Sequence, residues 1–288
     1  MTTQSDTGRP PRQLGRLLLT VALCLGVLAT VYPLLWMILG SFKEETEIFS
    51  SMALLPRSPS FDNYVDGWTH LPLPFGLYMI NSFVLSLLAI VGNLIACSFA
   101  AYAFARLKFR GKPVWFALML AGIMLPAHVT VIPQYVMFNR LGWVDTFLPI
   151  VLPKFLAVDS FFIFLLVQFI RGLPRELDEA ARIDGCGSIR IFWHVILPLS
   201  RPALVTVAIF TFVWTWNDFF SQLLYLTSND KITAPLALRM LSSSTGEGGT
   251  TWGELFAMST IAILPLLAIF FLFQKQLVQG IATTGLKG

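Results

Sequence analysis

Glu179-Ala180-Ala181-Arg182-Ile183-Asp184-Gly185, nine further residues, and then Val195-Ile196-Leu197-Pro198 form the longest interval between apolar runs in which both signs of charge are dense. Arg171, Arg175, Arg182, Arg190 and Arg201 stand there among Glu176, Asp178, Glu179 and Asp184. The chain on either side is apolar over stretches near the length of about 20 residues that crosses a bilayer as a helix. Charged side chains are expensive inside hydrocarbon, so this interval belongs at a membrane surface.

Its internal punctuation predicts two short helices. Pro174 suits a first helical position, Glu176, Asp178 and Glu179 put negative charge in the early turns, and Gly185 suits the residue just past the end. Leu177, Ala180, Ala181 and Asp184 then share one face. Ser188 can cap a second helix that ends near Pro198. In it Ile189, Phe192, Trp193 and Ile196 make an apolar stripe opposite Arg190 and His194. One face can lie on a membrane domain while the first helix projects. Two roles fit such a hairpin: a connector between spans, or a docking knob for a partner.

The rest of the chain is scaffold of the same kind. Of its 288 residues 56% are apolar and only 12% charged, and the mean hydropathy is +0.71. That balance excludes an ordinary soluble domain and fits a polytopic membrane protein. Backbone polar groups in lipid must be satisfied internally, so the apolar runs are expected to be helices. Six spans are predicted, at about 17–39, 81–106, 113–132, 147–170, 203–226 and 255–273. A first span retained in the chain fits residues 17–39 better than a cleaved leader does, because the run is long and no small-x-small site comes after it.

Within the spans, Gly92, Ala96 and Ala100 place small side chains on one helix face. Pro126 predicts a kink and Pro133 the end of the third span, followed by a loop over 134–146. Residues 227–252 read as a Gly/Ser/Thr-rich loop. Arg9, Arg12 and Arg16, the basic turn Arg106 to Lys112, and the five arginines of the charged interval all fall on one side of a six-span chain. That asymmetry predicts both termini and the charged interval in the cytoplasm.

Trp214, Trp216, Asn217 and Asp218 combine aromatic faces with hydrogen-bonding groups in one span, a set suited to sugar rings and hydroxyls. Lys154 and Asp159 are ionisable groups inside another span, functional candidates for that reason. Five residues apart, they point to different faces of a regular helix, and Lys154 can instead snorkel to an interface. No phosphate-binding loop of the Gly-x-x-x-x-Gly-Lys type occurs, and His70, His128 and His194 have no metal-ligand spacing, nor do Cys24, Cys97 and Cys186. No cofactor or metal is therefore expected on this chain. An intramembrane enzyme using Asp159 and Asp218 is the rival from another class.

The spacing Glu-Ala-Ala, three residues, Gly, nine residues, Val, one residue, Leu-Pro resembles the EAA loop of ABC importer permeases, with Val195 where isoleucine is usual and Cys186 where alanine or serine is. Ser41-Phe42-Lys43, Asn81-Ser82, Trp216-Asn217, Gln279-Gly280 and the closing Lys287-Gly288 are similar to the carbohydrate-uptake subfamily, in particular its maltose-type smaller permease subunit. The resemblance implies an all-α, six-helix type I importer permease fold, MetI-like, in a prokaryotic inner membrane. It divides the chain into a cytoplasmic tail 1–16, a permease domain 17–273 with the coupling loop at about 171–202, and a cytoplasmic tail 274–288. It implies a second homologous permease subunit, two ATP-binding subunits and an extracytoplasmic solute-binding protein as partners, alongside the lipid bilayer and without nucleic acid.

By the same resemblance Glu179, Ala180, Ala181, Asp184, Gly185, Leu197 and Pro198 are expected to couple to the ATPase, and Gln279, Gly280, Lys287 and Gly288 to reach it from the tail. Trp214, Asn217, Asp218 and Asp159 are the expected pathway residues. The implied activity is ATP-driven import of a di- or oligosaccharide by alternating access. The alternative cargo is a glycerol phosphate, amino sugar or polyol. The chain itself is expected to be no enzyme.

Overall fold

The computed structural model describes residues 12–285 apart from 52 and 245–250. Every regular element among them is helical. The residues fall into two compact units, one drawn from Met1–Gly67 and Ser244–Ile261, the other from Trp68–Ser243 and Ala262–Gly288.

In the first unit, α1 (Arg12–Gly40) is a 29-residue helix that carries Pro33 without ending. Two short helices, α2 (Glu45–Ser50) and α3 (Asp62–Thr69), fold up the Pro-rich segment after it. Asn63 Nδ2 donates to the carbonyl oxygens of Ser41 (2.9 Å) and Lys43 (2.8 Å). Ser41 Oγ lies 2.8 Å from Tyr64 Oη. Lys43 is buried, and its ammonium donates to the carbonyl oxygen of Ala53. The Ser41-Phe42-Lys43 segment is thus the knot of this unit.

The second unit is built around α4 (Phe75–Arg106), which starts directly after Pro74, ahead of the predicted start of the span at about 81. Leu85, Ala89, Asn93, Cys97, Ala101 and Ala105 recur every four residues and are buried. The small-residue face therefore lies one position on from the predicted Ala96 and Ala100, which are only half-buried. Gly92 is buried too: a Cβ there would sit 2.7 Å from Phe155 Cδ2 and 3.1 Å from the carbonyl carbon of Lys154.

Helix α5 (Lys112–Met124) comes after Gly111, which has φ +76°, and a break at Leu125-Pro126 separates it from α6 (Ala127–Arg140). The predicted end at Pro133 is not found. The helix runs through Pro133 to Arg140, and the interruption falls where Pro126 holds Leu125 extended (ψ 121°). The fourth apolar run is also broken, into α7 (Leu148–Phe155) and α8 (Ser160–Gly172), with Ala157 left-handed at φ +55° between them.

The charged interval contains α9 (Glu176–Ile183), α10 (Ser188–Ile191), a π turn at Phe192–Ile196 and α11 (Leu197–Leu199). Then come α12 (Arg201–Asn217) and α13 (Phe220–Tyr225). Within the predicted 227–252 loop lies a further helix, α14 (Ala234–Ser244). Helix α15 (Trp252–Gly285) closes the described chain and continues unbroken into the predicted tail.

Among the described residues, four helical stretches are long and apolar enough to cross a membrane, and six are if each of two bent pairs, α5 with α6 and Ser188–Leu199 with α12, is one span. The core beneath the charged interval joins α4, α8 and α12 through Cys97, Leu166, Val167, Ile170 and Val207. Ile191, Phe192 and Ile196 plug into the same core.

Candidate functional site

The end of α9 takes the shape its sequence dictates. Gly185 has φ +79°, its N–H donates to the carbonyl oxygen of Arg182 (3.0 Å), and the Cys186 N–H donates to that of Ala181 (2.9 Å). Those two bonds are a Schellman closure, which a left-handed glycine makes at least cost. A Cβ on Gly185 would meet nothing within 4 Å, so the requirement here is backbone conformation and not space.

Glu179, Ala180, Asp184 and Gly185 are exposed, and Ile183 is 87% exposed. Ala181 faces the other way, half-buried on the core with Cys186 and Leu197. Pro198 is half-buried. The predicted set is thereby divided. Glu179, Ala180, Asp184 and Gly185 form the free face of the projection, while Ala181 and Leu197 seat it and Pro198 shapes the turn that leads into α12.

Asp178 carries no distinguishing mark in the sequence, yet it is the carboxylate that faces inward. Its Oδ2 lies 3.2 Å from Arg106 Nε, and both side chains are almost wholly buried. Arg106 Nη2 also donates to the carbonyl oxygen of Leu173 at 2.7 Å. Tyr102 Oη, one turn earlier on α4, donates to that of Ser188 at 3.0 Å. The last turn of α4 therefore grips both ends of the α9 projection.

The predicted apolar stripe of the second helix is corrected. Phe192 and Ile196 are buried as expected, but with Ile191, whereas Ile189 is 74% and Trp193 49% exposed. An α-helical period of 3.6 does not survive the π turn, in which the Leu197 N–H donates to the carbonyl oxygen of Phe192. Pro198 gives the reason: it has no N–H for an α bond and its ring would clash with the carbonyl of His194.

A concave region of about 380 Å³ lies at the other end of α12, lined by Ile150, Lys154, Val213, Trp214, Thr215, Asn217 and Asp218. Three of the predicted pathway residues therefore meet. Trp214 is half exposed and stacks at 4.9 Å on Phe162. Asn217 Nδ2 donates to the carbonyl oxygen of Val213 (2.8 Å), and Asp218 Oδ1 accepts the Ser221 N–H (3.0 Å). Trp216 does not join them. It is buried, with its Nε1–H on the carbonyl oxygen of Ala262 (3.2 Å) and its ring against Phe83 and Phe212.

Asp159 adjoins the pocket through Lys154, whose Nζ is 2.9 Å from Asp159 Oδ2. The expectation that these two point apart holds for a regular helix and fails here, because the chain breaks between α7 and α8 and folds the two side chains together. Asn93 Nδ2 donates to the same carboxylate at 2.6 Å and sits 3.1 Å from Thr211 Oγ1. One polar network thus ties the broken fourth run to α4 and α12.

Of the predicted tail contacts, Gln279 and Gly280 lie in α15 and Lys287 and Gly288 fall outside the described residues.

The profile of the binding-protein-dependent transport system inner membrane component family matches residues 92–283. The probable ABC transporter permease protein YurM of Bacillus subtilis is 34% identical over 98% of this chain and 92% of its own. The arabinooligosaccharides transport system permease protein AraQ of Halalkalibacterium halodurans is 34% identical over 94% of this chain and 96% of its own. Among solved structures, a chain of a bacterial ABC transporter involved in the import of the acidic polysaccharide alginate superposes with a TM-score of 0.82, at 22% identity, over 94% of this chain and 99% of its own.

Proposed function

Because this chain belongs to the family of binding-protein-dependent transport system inner membrane components, we propose that it supplies half of a sugar translocation pathway and that α9 transmits ATPase motion to it. It is a multi-pass permease subunit of an ABC importer and not an enzyme. The proposed assembly adds a second homologous permease, two ATP-binding subunits and an extracytoplasmic solute-binding protein. With the basic residues on the inner side, both termini and the α9 projection lie in the cytoplasm of a prokaryotic cell.

The observation that carries the coupling role is the grip of Arg106 and Tyr102 on both ends of α9. A helix that is to transmit force must not rotate on its own, and here its inward face is fixed by the Arg106–Asp178 ion pair while Glu179, Ala180, Ile183, Asp184 and Gly185 stay open to a partner. Ala180 allows close approach, and Glu179 and Asp184 offer carboxylates to basic groups. Motion of a docked ATPase then reaches α4 directly and rocks the bundle as a body. The tail 274–288, with Gln279, Gly280, Lys287 and Gly288, is the proposed second contact with the ATPase.

For cargo, the relative AraQ is named for arabinooligosaccharides. The pocket beside Trp214 supports a neutral saccharide over an anionic solute. The cation in its lining, Lys154, is matched by Asp159, and Asp218 adds a further carboxylate, so an incoming phosphate or carboxylate meets net negative charge. An aromatic face with amide and carboxylate acceptors suits hydroxyl-rich rings.

Co-purification tests the coupling half: the tagged chain is expected to bring down an ATPase and a second permease, and Gly185→Val to lose the ATPase while keeping the permease. Calorimetry on the cognate binding protein tests the cargo half. Tight binding of a phosphorylated solute with none of neutral saccharides overturns it.

A further inference from the structure

The exposed side of Ser188–Leu199 is unused by the coupling role. The axis of this segment is bent by 76° from that of α12. Taking α12 as the part of this bent pair that crosses the bilayer, the 76° bend lays Ser188–Leu199 close to the membrane plane. Around it the surface changes in order. Ile191, Phe192 and Ile196 are buried in the core, Ile189 and Trp193 form an exposed apolar edge, and Arg190 and His194 come next as an exposed basic edge. That order is the pattern of a helix lying in the interface, with tryptophan at the boundary and basic groups toward the headgroups.

Two further features point to lipid as the occupant. The apolar edge is not isolated: Phe99, itself exposed, contacts Trp193 edge-on at 5.9 Å and stacks on Phe192 at 4.5 Å. Phe99 ends an exposed apolar row on α4 that includes Val84, Leu88, Val91 and Ile95. This exposed apolar row on α4 thus leads, through Phe99, onto Trp193. Beside it, Gly187, Ser188, Ile189, Arg190, Trp193 and His194 line a concave region of about 640 Å³. An apolar wall and a guanidinium at one depth match the two parts of an anionic phospholipid, glycerol-ester region and phosphate.

We propose that Ser188–Leu199 seats an anionic phospholipid, with its phosphate on Arg190 and its glycerol and upper acyl region against Trp193 and Ile189. Such a lipid would lie beside the coupling helix and hold its base at a fixed depth in the bilayer. This goes beyond the cargo and the ATPase contact and depends on neither.

The test uses the complete importer in nanodiscs of phosphatidylcholine containing a small fraction of brominated lipid, read by tryptophan fluorescence. The Trp193 contribution is the difference between the wild type and Trp193→Phe. Brominated phosphatidylglycerol is expected to quench that contribution at a roughly fivefold lower fraction than brominated phosphatidylcholine, the preference one basic side chain gives near anionic headgroups. Arg190→Gln is expected to erase the preference and Arg190→Lys to keep it. Equal quenching by both lipids in the wild type overturns the proposal in favour of bulk lipid. Absence of quenching overturns it in favour of a protein covering the patch. Should Arg190→Gln fail to assemble, the wild-type comparison of the two brominated lipids decides alone.

Discussion

Arg106 Nε meets Asp178 Oδ2 at 3.2 Å with both side chains buried, and this contact joins the last turn of α4 to the inward face of the coupling helix. It is an electrostatic contact and not a hydrogen bond: among the described residues, Arg106 Nε and Asp178 Oδ1 have no hydrogen-bond partner. Removing one partner of a buried pair strands the other and costs about 3–5 kcal/mol, whereas replacing both with apolar groups is often neutral. Asp178→Asn and Arg106→Gln are therefore each expected to lower the melting temperature of the importer and to reduce transport per ATP hydrolysed. Arg106→Met combined with Asp178→Leu is expected to recover thermal stability. If transport per ATP stays at the wild-type level in both single variants, α9 does not need this brace.

Gly185 separates conformational from steric cost. Its φ of +79° disfavours side chains with a Cβ by about 1–2 kcal/mol, but open space surrounds the position. Gly185→Asn, which tolerates left-handed backbone, is expected to retain most transport. Gly185→Val is expected to abolish it while leaving the chain in the membrane. Equal activity of the two variants would show that the closure after Asp184 is dispensable.

Asp145 ties the segment before α7 to the segment after α13. Its carboxylate accepts the N–H groups of Thr227 (3.0 Å) and Ser228 (2.9 Å), the Ser228 hydroxyl, and Lys231 Nζ (3.0 Å). The Ser228 hydroxyl, followed by the two N–H groups, holds its pKa well below the usual carboxylate range. A depressed folded-state pKa contributes stability above the unfolded value, about 3.9, which is lost as pH falls through the lower folded value. Asp145→Asn is thus expected to lower the melting temperature at neutral pH, with the gap to wild type narrowing only below about pH 4. A gap that closes between pH 5 and 8 would assign the effect to some other group.

What could be read from residue order alone tracks the range of the interaction. The shape of α9 was legible from the early carboxylates and Gly185, which act on their own turn. Pro174 does not take the first helical position expected of it: it stands before the N-cap Arg175, and the helix opens at Glu176. Asp178 was not legible, since it differs from Glu176 and Glu179 only in facing Arg106, and nothing local marks which of three carboxylates turns inward. The stripe through Ile189 and Trp193 failed for a reason that was present, Pro198, whose effect on the preceding turn is a change of period and not a stop. Break positions were half legible. Pro126 signalled irregularity, but whether a helix ends, bends or runs on, as at Pro133, is settled by what packs against it.

Lys154 and Asp159 show the consequence of such a break. Joined at 2.9 Å, they close the gap between α7 and α8, and the bond from Asn93 Nδ2 to Asp159 anchors that gap to α4, where Gly92 leaves room for Phe155. Lys154→Met leaves Asp159 half-buried with Asn93 alone, and Asp159→Asn leaves a cation facing the pocket. Each single change is expected to cut sugar transport more than tenfold. Their effects on cargo differ in sign: Asp159→Asn frees Lys154 and cancels the net negative charge beside Trp214, since Asp218 is then the one carboxylate left against it in the lining, and is expected to admit an anionic sugar that the wild type excludes. The double variant, neutral at both positions, is expected to regain neutral-sugar transport without the anionic activity. Uptake of radiolabelled neutral and phosphorylated sugars by the three variants measures this. Unchanged exclusion of the anion by Asp159→Asn would remove the Lys154–Asp159 pair from the cargo pathway and leave it as a clamp on the broken helix.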